Sequence, residues 1–373
     1  MKDDSMPEED AAMKKAEADA RRELTDLSRA GLELALQDLG VERYRARQLF
    51  QWIYGRGVGA FNAMTDLSVD LRGRLDTEFR VSTPTIVRRD VSSDGTQKFL
   101  LALADGTPIE SVFIPDTPNQ TFCVSTQAGC AMGCAFCLTA TMGLVRNLTP
   151  GEIVGQVRVL ATTLDLHDKA FNIVMMGMGE PLHNYDHTMT ALQILCDRDG
   201  FAIPPRRITL STVGLVPAIE RLAAEPLVPN LAISLHAASE TLRATLVPLA
   251  HKYSITEILN ACRQFPLKHR DRITFEYVLL AGVNDSVAEA RKLAKVLRGV
   301  KAKVNLIPLN PAAGIPYERP SDEAIDAFAR VLADHHVTVS VRKSRGRDIR
   351  AACGQLAVEG RKRSPAQILA RQI

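Results

Sequence analysis

The chain has 373 residues, 46% of them hydrophobic, and 46 Lys and Arg against 43 Asp and Glu give it a formal net charge of +3. The length allows two or three domains with a large core, and the near-neutral charge means that any nucleic-acid surface must be local. No apolar run reaches the roughly 18 residues of a membrane span, and the first residues lack the apolar core of a signal peptide. We therefore expect a cytoplasmic protein with no membrane partner.

The N-terminal part divides into two segments. Residues 1–24 are charged and Ala-rich without an apolar stripe, which predicts a flexible extension. Residues 25–80 have a helical pattern and predict a small accessory domain. Four of its arginines face only Glu42 locally, and they fit an RNA-contact surface or a solvated helix face equally well; they are Arg43, Arg45, Arg47 and Arg56.

The period then changes to that of strands. Residues 81–116 hold short β-rich runs separated by Asp94-Gly95 and Asp105-Gly106, the turn chemistry of tight hairpins, and predict an antiparallel connector. From residue 117 to 345 strand-like and helical segments alternate. The predicted strands lie near Phe171–Met176, Arg207–Thr212, Leu231–His236, Ile273–Leu280, Val304–Pro308 and Val337–Val341.

This alternation predicts an α/β fold with a mostly parallel sheet, closed or nearly closed into a partial (βα) barrel. Chemistry in such barrels gathers at the C-terminal ends of the strands. Residues 346–373 form a separate C-terminal segment. Cys196 and Cys262 fall on helical patterns among leucines and isoleucines and are interpreted as core residues.

The stretch "GCAMGCAFC" places Cys130, Cys134 and Cys137 within eight residues, after the first predicted barrel strand. Structural zinc normally has four protein ligands, and no second Cys or Cys/His pair lies nearby. Inert core cysteines are also disfavoured, because the spacing follows no core period. Three thiolates suit a 4Fe-4S cluster with one iron left open.

The C-x3-C-x2-C spacing, with Phe136 before the last cysteine, resembles the signature of the radical S-adenosylmethionine (SAM) superfamily. The resemblance implies a partial barrel, a 4Fe-4S cluster and SAM, which the open iron binds and cleaves to a 5′-deoxyadenosyl radical. An external electron donor, such as a flavodoxin, is then required.

Further motifs narrow the resemblance. They are "GTPIESVFIP", "TFCVSTQ", "MGMGEPLHNY", "LSTVGL", "LAISLHA", "LIPLNP" and "RKSRGRDIRAACGQL". From about residue 24 to about residue 357 the chain resembles the RlmN/Cfr family of RNA adenine methyltransferases. The resemblance implies that Cys353 carries a methyl group as S-methylcysteine, that Cys123 resolves the protein–RNA adduct through a transient disulfide, and that Glu110 accepts a proton. The reaction that the resemblance implies uses two SAM molecules per turnover.

The resemblance also implies a SAM-binding set near the strand ends, at Gly179, Glu180, Ser211, Ser234, Leu235, His236 and Asn310. The prolines at positions 181 and 308, Pro181 and Pro308, resemble those of the family branch that methylates C2 of adenosine rather than C8. The implied substrates are an adenosine in the peptidyl-transferase centre of 23S rRNA, free or in early assembly, and the adenosine 3′ of the anticodon in tRNA.

A local basic cluster supports an RNA partner. Arg342, Lys343, Arg345, Arg347 and Arg350 face only Asp348 in the segment that carries Cys353, and Arg361, Lys362 and Arg363 follow. A solvated basic tail is the alternative, and Arg347 and Arg350 leave the balance between the two RNA substrates open. C8 methylation and a non-catalytic iron–sulfur RNA-binding module remain the competing functions. Nothing indicates association between copies, so we expect a monomer.

Overall fold

The structure is a computed structural model that describes residues 21–115, 120–167 and 169–358. Most of the predicted N-terminal extension lies outside these residues, as do the basic residues Arg361, Lys362 and Arg363. Within the described ranges no helix is both long and apolar enough to cross a bilayer.

A small helical unit precedes the sheet. Its helices are α1 (Arg29–Asp38), α2 (Tyr44–Phe50), which continues into a π-helical turn, and α3 (Val69–Glu78). Serine N-caps begin α1 and α3, because the hydroxyls of Ser28 and Ser68 accept hydrogen bonds from the free N–H groups of the first turn. Two short strands, β1 (Arg22–Glu23) and β2 (Phe79–Arg80), pair in parallel, so the ordered unit includes residues that we had placed in the extension.

The main sheet has ten strands among the described residues, in the order β14-β13-β12-β11-β10-β9-β6-β5-β4-β3. They are β3 (Thr85–Val91), β4 (Gln97–Ala102), β5 (Pro108–Ile114), β6 (Gln120–Cys123), β9 (Phe171–Met175), β10 (Ile208–Thr212), β11 (Asn230–Ser234), β12 (Ile273–Leu279), β13 (Ala302–Pro308) and β14 (Thr338–Val341).

The sheet is parallel from β6 through β9 to β14 and antiparallel from β3 to β6. The α/β partial barrel predicted from the sequence is confirmed. The predicted connector, however, is not a separate layer, because β5 pairs with β6 and continues the barrel sheet. Both predicted hairpin turns are present, closed by hydrogen bonds from Ser92 N–H to Thr96 and from Leu103 N–H to Thr107.

Helices connect the parallel strands. They are α5 (Pro150–Thr163), α6 (Tyr185–Cys196), α7 (Val216–Ala223), α8 (Glu240–Leu246), α9 (Ile255–Gln264), α10 (Val287–Val296) and α11 (Asp322–Asp334). Helix α5 begins with a capping box, in which Thr149 and Glu152 satisfy each other's backbone N–H groups. A small hairpin of β7 (Gln127–Gly129) and β8 (Leu144–Asn147) flanks the cysteine loop and the short helix α4 (Leu138–Thr141).

The helical unit is joined to the barrel at the start of α5. Gly151 N–H donates to the Asp26 carboxylate at 2.9 Å. A Cβ at Gly151 would lie 2.3 Å from the hydroxyl oxygen of Thr25. The two units therefore meet at a backbone contact that has no room for a side chain.

We predict opposite effects for one substitution at two glycines. Gly151→Ala should destabilise the protein by about 1–3 kcal/mol, because the new methyl group must displace Thr25. Gly73→Ala should stabilise it by about 0.5–1 kcal/mol, because Gly73 lies inside α3 with open space around its Cα. Thermal unfolding of the metal-free protein measures both; a shift of the same sign in both variants would contradict this view of the contact.

Candidate active site

The barrel encloses a cavity of about 620 Å³. Alternate residues of β12 and β13 point into it, as the two-residue period of strands requires; these are Thr274, Glu276, Val278, Lys303, Asn305 and Ile307. The cysteine loop covers one side of the cavity, and residues 342–356 cover another. The cavity is therefore built jointly by the strands and by the C-terminal segment.

The cysteine loop brings all three of its cysteines, Cys130, Cys134 and Cys137, to the cavity wall. Backbone hydrogen bonds hold the loop in place. Cys130 N–H donates to the Gly143 carbonyl at 3.1 Å, and Ala135 N–H donates to the Leu246 carbonyl at 3.0 Å. Gly129, which enters the loop, has φ +76°, and a Cβ there would lie 1.9 Å from the Gly143 carbonyl oxygen. Only glycine fits at that entry.

Burial controls the charge of these thiols. It raises the pKa of Cys130 to about 12 and that of Cys134 well above the ordinary value, and the other cysteines of the loop add to both shifts. Three neutral thiols therefore face one space. A cation bound there would compensate for their lost hydration and lower their pKa, so that they would bind it as thiolates.

The segment that carries Cys353 docks on the residues just after the loop. Leu138 N–H donates to the Gly354 carbonyl at 2.8 Å, and the Thr139 hydroxyl donates to the Leu356 carbonyl at 2.6 Å. These contacts place Cys353 near Cys137, whose thiol pKa is raised by burial and further by Cys353. The two cysteines that lie far apart in the sequence thus share one cavity.

Cys123 lies at the end of β6, buried, on the same cavity. Burial raises its thiol pKa to about 12, and the proximity of Cys353 contributes in the same direction. Both are free thiols in the structure. Arg342, just after β14, acts in the opposite sense, because its positive charge favours the thiolate form of Cys123.

Arg342 is itself a neighbour of three acidic or ionisable groups. Its pKa is raised first by Cys353, then by Glu276 and Cys123, against the effect of burial. The sequence analysis had grouped Arg342 with the RNA-contacting cations. In the structure Arg342 lines the cavity, so its charge is directed at the thiols.

The β3–β4 turn clamps the C-terminal segment. Gly346 N–H donates to Asp94 at 3.0 Å, while Asp348 accepts from the Ser92 hydroxyl at 2.5 Å and from Ser93 N–H at 3.1 Å. Burial alone would raise the pKa of Asp94, but the hydrogen bonds, chiefly from Thr96 and Gly346, hold it at about 2. The carboxylate is ionised at neutral pH, which strengthens these hydrogen bonds.

The loop after β9 carries the predicted SAM contacts Gly179 and Glu180. Gly179 has φ +101°, and a Cβ there would lie 2.5 Å from Gln127, so a side chain is excluded. The Glu180 carboxylate accepts from Leu182 N–H at 3.0 Å and from Val213 N–H at 2.9 Å. Burial nevertheless raises its pKa to about 7, so a cationic group bound beside it would stabilise the ionised carboxylate.

Other predicted contacts also face the cavity. The hydroxyl oxygens of Ser211 and Ser234 lie 3.4 Å apart on adjacent strands. His236 Nδ1 accepts from Val278 N–H at 3.1 Å, and burial lowers its pKa to about 3, so the neutral ring can donate only from Nε2. Asn310 presents a buried Oδ1 without a hydrogen-bond partner.

Two members of the predicted set lie away from the cavity wall. Leu235 is fully buried in the core and does not line the cavity. Glu110 is also buried; its carboxylate pairs with Lys98 at 3.1 Å and accepts from Ala357 N–H at 2.9 Å. Burial raises the pKa of Glu110, and Lys98 opposes that shift. Glu110 thus lies beneath the segment that follows Cys353.

Comparison with known proteins identifies the family. Residues 124–294 match the model of the radical SAM superfamily, and residues 22–81 match that of the ribosomal RNA large subunit methyltransferase N-terminal domain. The chain is 46% identical to the dual-specificity RNA methyltransferase RlmN of Pelobacter propionicus, over 90% of this chain and 96% of that protein. It is 48% identical to the protein of the same description from Geobacter sulfurreducens, over 91% and 92%.

A solved structure agrees with the sequence comparison. The crystal structure of a radical SAM methyltransferase from Sphaerobacter thermophilus superposes with a TM-score of 0.85 at 49% identity, covering 89% of this chain and 98% of that chain. The chain belongs to the RlmN family. It is an enzyme of the radical SAM type, and the alternative of a non-catalytic iron–sulfur module is wrong.

Members of the RlmN family use a 4Fe-4S cluster and SAM, and the donors on the cavity fit both. No three Cys, His, Asp or Glu side chains of the described residues converge on one metal ion. A cubane cluster does not require convergence, because its thiolates bind three different irons. For SAM, Glu180 offers a carboxylate to an ammonium group, and Asn310 offers an unpaired acceptor.

Two buried charged residues of this RlmN-family site were not predicted from the sequence. Arg243 on α8 is fully buried and donates to the carbonyls of Val213, Leu235 and Tyr253, which hold the loops after β10 and β11. Glu276 lies on β12 in the apolar run "ITFEYVL". A charged residue in such a run is the signal that could have identified it.

We predict that loosening the clamp exposes Cys353. Asp348→Ala removes the acceptor for Ser92 and Ser93, and alkylation of Cys353 in the metal-free protein should accelerate roughly five- to thirtyfold, the effect of 1–2 kcal/mol on an opening equilibrium. Peptide mass spectrometry after timed alkylation measures the rate.

Asp90→Ala is the matched control, because Asp90 lies on the same hairpin and bonds the exposed Arg88. The clamp would have no role in holding Cys353 if both variants were alkylated at the wild-type rate.

Proposed function

We propose that this protein methylates C2 of adenosine in the peptidyl-transferase centre of 23S rRNA and C2 of the adenosine 3′ of the anticodon in tRNA, through a methyl group carried on Cys353. One observation carries the proposal. Cys353 and Cys123 share a single cavity with the three cysteines suited to a 4Fe-4S cluster.

The target carbon explains why two further thiols are needed. C2 of adenine lies between two ring nitrogens and is electron-poor, so it does not attack a sulfonium methyl group as a nucleophile. When bound, the cluster held by Cys130, Cys134 and Cys137 supplies the electron that cleaves SAM, and SAM also supplies the methyl group. The protein's part is to hold the methyl carbon on Cys353 beside the base.

Release of the product falls to Cys123. The methyl carbon on Cys353 must first lose a hydrogen atom and bond to C2, with loss of one electron and of the C2 proton. The Cys123 thiolate then attacks the sulfur of Cys353, an S–S bond forms as the bond between that sulfur and the methylene carbon breaks, and the carbon takes up a proton to become the methyl group. The buried Cys123 thiol has a pKa of about 12, so the positive charge of Arg342 is the feature that favours its thiolate. The disulfide is then reduced for the next turnover.

Glu110 is proposed to accept the proton lost from the C2 position. Its ion pair with Lys98 favours the ionised form that a base requires, despite burial. Access to it depends on the segment at Ala357, whose N–H occupies one carboxylate oxygen. Movement of that segment on RNA binding would uncover the oxygen.

Cationic side chains at the cavity support an RNA substrate. Lys303, Lys343 and Arg345 lie on its wall together with Arg342, and such charges neutralise phosphates. The target base must be unstacked to enter. In the accessory domain, Arg43 pairs with Glu33 and Arg47 with Asp199, which leaves Arg45 and Arg56 as the better candidates for RNA contact there.

The sequence features that separate C2 from C8 methylation are Pro181 and Pro308, and the curated relatives are dual-specificity RNA methyltransferases.

We further propose that the protein works in the cytoplasm. We also propose that it works as a monomer, because one chain supplies every proposed residue of the cavity. An external one-electron donor such as a flavodoxin would serve it. The rRNA would be modified while free or in early assembly.

The regiochemistry of the product tests the proposal. Protein reconstituted without oxygen should convert the target adenosine of protein-free 23S rRNA and of tRNA to 2-methyladenosine. Mass spectrometry of the digested RNA, with chromatographic separation from 8-methyladenosine, measures the product. The C8 isomer would overturn the assignment of the carbon, and SAM cleavage without any methylated RNA would overturn the substrate.

We predict that Cys123→Ala traps the covalent adduct. Without the attacking thiolate the S–C bond persists, so RNA should remain joined to the protein at Cys353, and multiple turnover should fall at least a hundredfold, to the level expected when a nucleophile is removed. Denaturing gels and peptide mass spectrometry detect the adduct.

Cys262→Ala is the control, since Cys262 is buried in α9 away from the cavity wall. Normal turnover by Cys123→Ala, with no adduct, would remove the resolving role from Cys123.

A further inference from the structure

A buried carboxylate on the cavity wall is assigned no role by the mechanism above. Glu276 is 4% exposed and lies in the middle of β12, where its side chain faces the cavity. Its Oε1 accepts a hydrogen bond from Asn305 Nδ2 at 3.0 Å. Its Oε2 is buried and has no hydrogen-bond partner within the part of the chain that the structure describes.

The position of this carboxylate is well defined. Asn305, on the adjacent strand, is held at both ends of its amide group. Its Oδ1 accepts from the Ser340 hydroxyl at 2.5 Å, and its Nδ2 donates to Glu276. The backbone is fixed as well, because the Glu276 carbonyl accepts from Leu235 N–H at 3.1 Å. One oxygen is therefore used within the protein, and the other is presented rigidly.

An unpaired buried acceptor is costly, and native structures leave few of them. Burial raises the pKa of Glu276, and Arg342 opposes the shift by favouring the ionised form. Arg342 interacts with Glu276 without occupying its free oxygen. The arrangement suits a hydrogen-bond donor that arrives with a ligand.

The neighbours of Glu276 indicate which ligand. Ser234 on β11 is a predicted SAM contact, and Glu276 lies opposite it on the next strand. Arg342 is the shared neighbour of Glu276, Cys353 and Cys123. Glu276 therefore adjoins both a cofactor contact and the arginine beside the reactive thiols, which is where a base that reacts at Cys353 would lie.

We propose that Glu276 Oε2 accepts a hydrogen bond from the exocyclic amino group of the target adenine and so selects adenine over other bases. The inference rests on the proposed function. A purine with a carbonyl group at that position would place two acceptors against each other, which a buried site rejects strongly. Asn305 acts as a positioning residue that holds the carboxylate in place.

The test compares two RNA substrates that differ only in this amino group. One carries adenosine at the target position, and the other carries purine riboside, which lacks the amino group. The wild-type protein should prefer adenosine in kcat/KM by about tenfold to hundredfold, the value of one hydrogen bond to a charged group. Glu276→Met, of similar volume without the acceptor, should reduce the ratio to about one.

Glu276→Gln keeps an acceptor and should recover part of the preference. Thr274→Val is the matched control, because Thr274 lines the same face of β12 two residues earlier. Iron content and SAM binding, measured on each variant, confirm that the site is intact. A merely structural role would lower activity on both substrates and leave their ratio unchanged, and that result would overturn the assignment.

Three further outcomes complete the test, and the last two separate this inference from the proposed function. Weaker SAM binding by Glu276→Met with an unchanged substrate ratio would assign Glu276 to the cofactor instead. Methylation of the adenosine substrate by the wild type, without preference over purine riboside, would overturn the inference alone. Absence of methylation by the wild type would overturn the proposed function and this assignment with it.

Discussion

The docking of residues 342–356 against the mouth of the barrel is the interaction on which the site depends. Backbone and hydroxyl hydrogen bonds join Gly354 and Leu356 to the residues after the cysteine loop, and the carboxylates of Asp94 and Asp348 hold the same segment from the other side. Without this docking the barrel would still provide a place for the cluster and SAM. It would lack the methyl-carrying thiol and the arginine beside it, and radical chemistry would have no defined target.

Burial and charge act together inside the cavity. Burial raises the pKa of four thiols on its wall, those of Cys123, Cys130, Cys134 and Cys137, so these thiols stay neutral and unreactive until a cation approaches them. The positive groups are distributed accordingly, with Arg342 beside Cys123 and Cys353, and Arg243 near Cys134. This arrangement confines reactivity to the assembled enzyme, which suits chemistry that passes through a radical.

The sequence predicted the barrel well, because alternating strands and helices impose two distinct periods, and the six predicted strands lie within about two residues of their observed bounds. It also predicted the shared placement of Cys123, Cys353 and the cysteine loop, but only through family resemblance. It did not predict that β3–β5 continue the barrel sheet, since strand pairing between segments has no local signal. The placement of Arg342 on the cavity wall was not predicted either, because a side chain in a basic run has no pattern that distinguishes a cavity from a surface.

Cys130, Cys134 and Cys137 would hold a 4Fe-4S cluster that binds SAM next to Cys353. Electron paramagnetic resonance of the reduced cluster, reconstituted without oxygen and recorded with and without isotope-labelled SAM, tests it most directly. The account predicts that SAM changes the spectrum and that the label on its amino or carboxylate group couples to the cluster. A spectrum indifferent to SAM, or zinc in place of iron at these cysteines, would contradict the account.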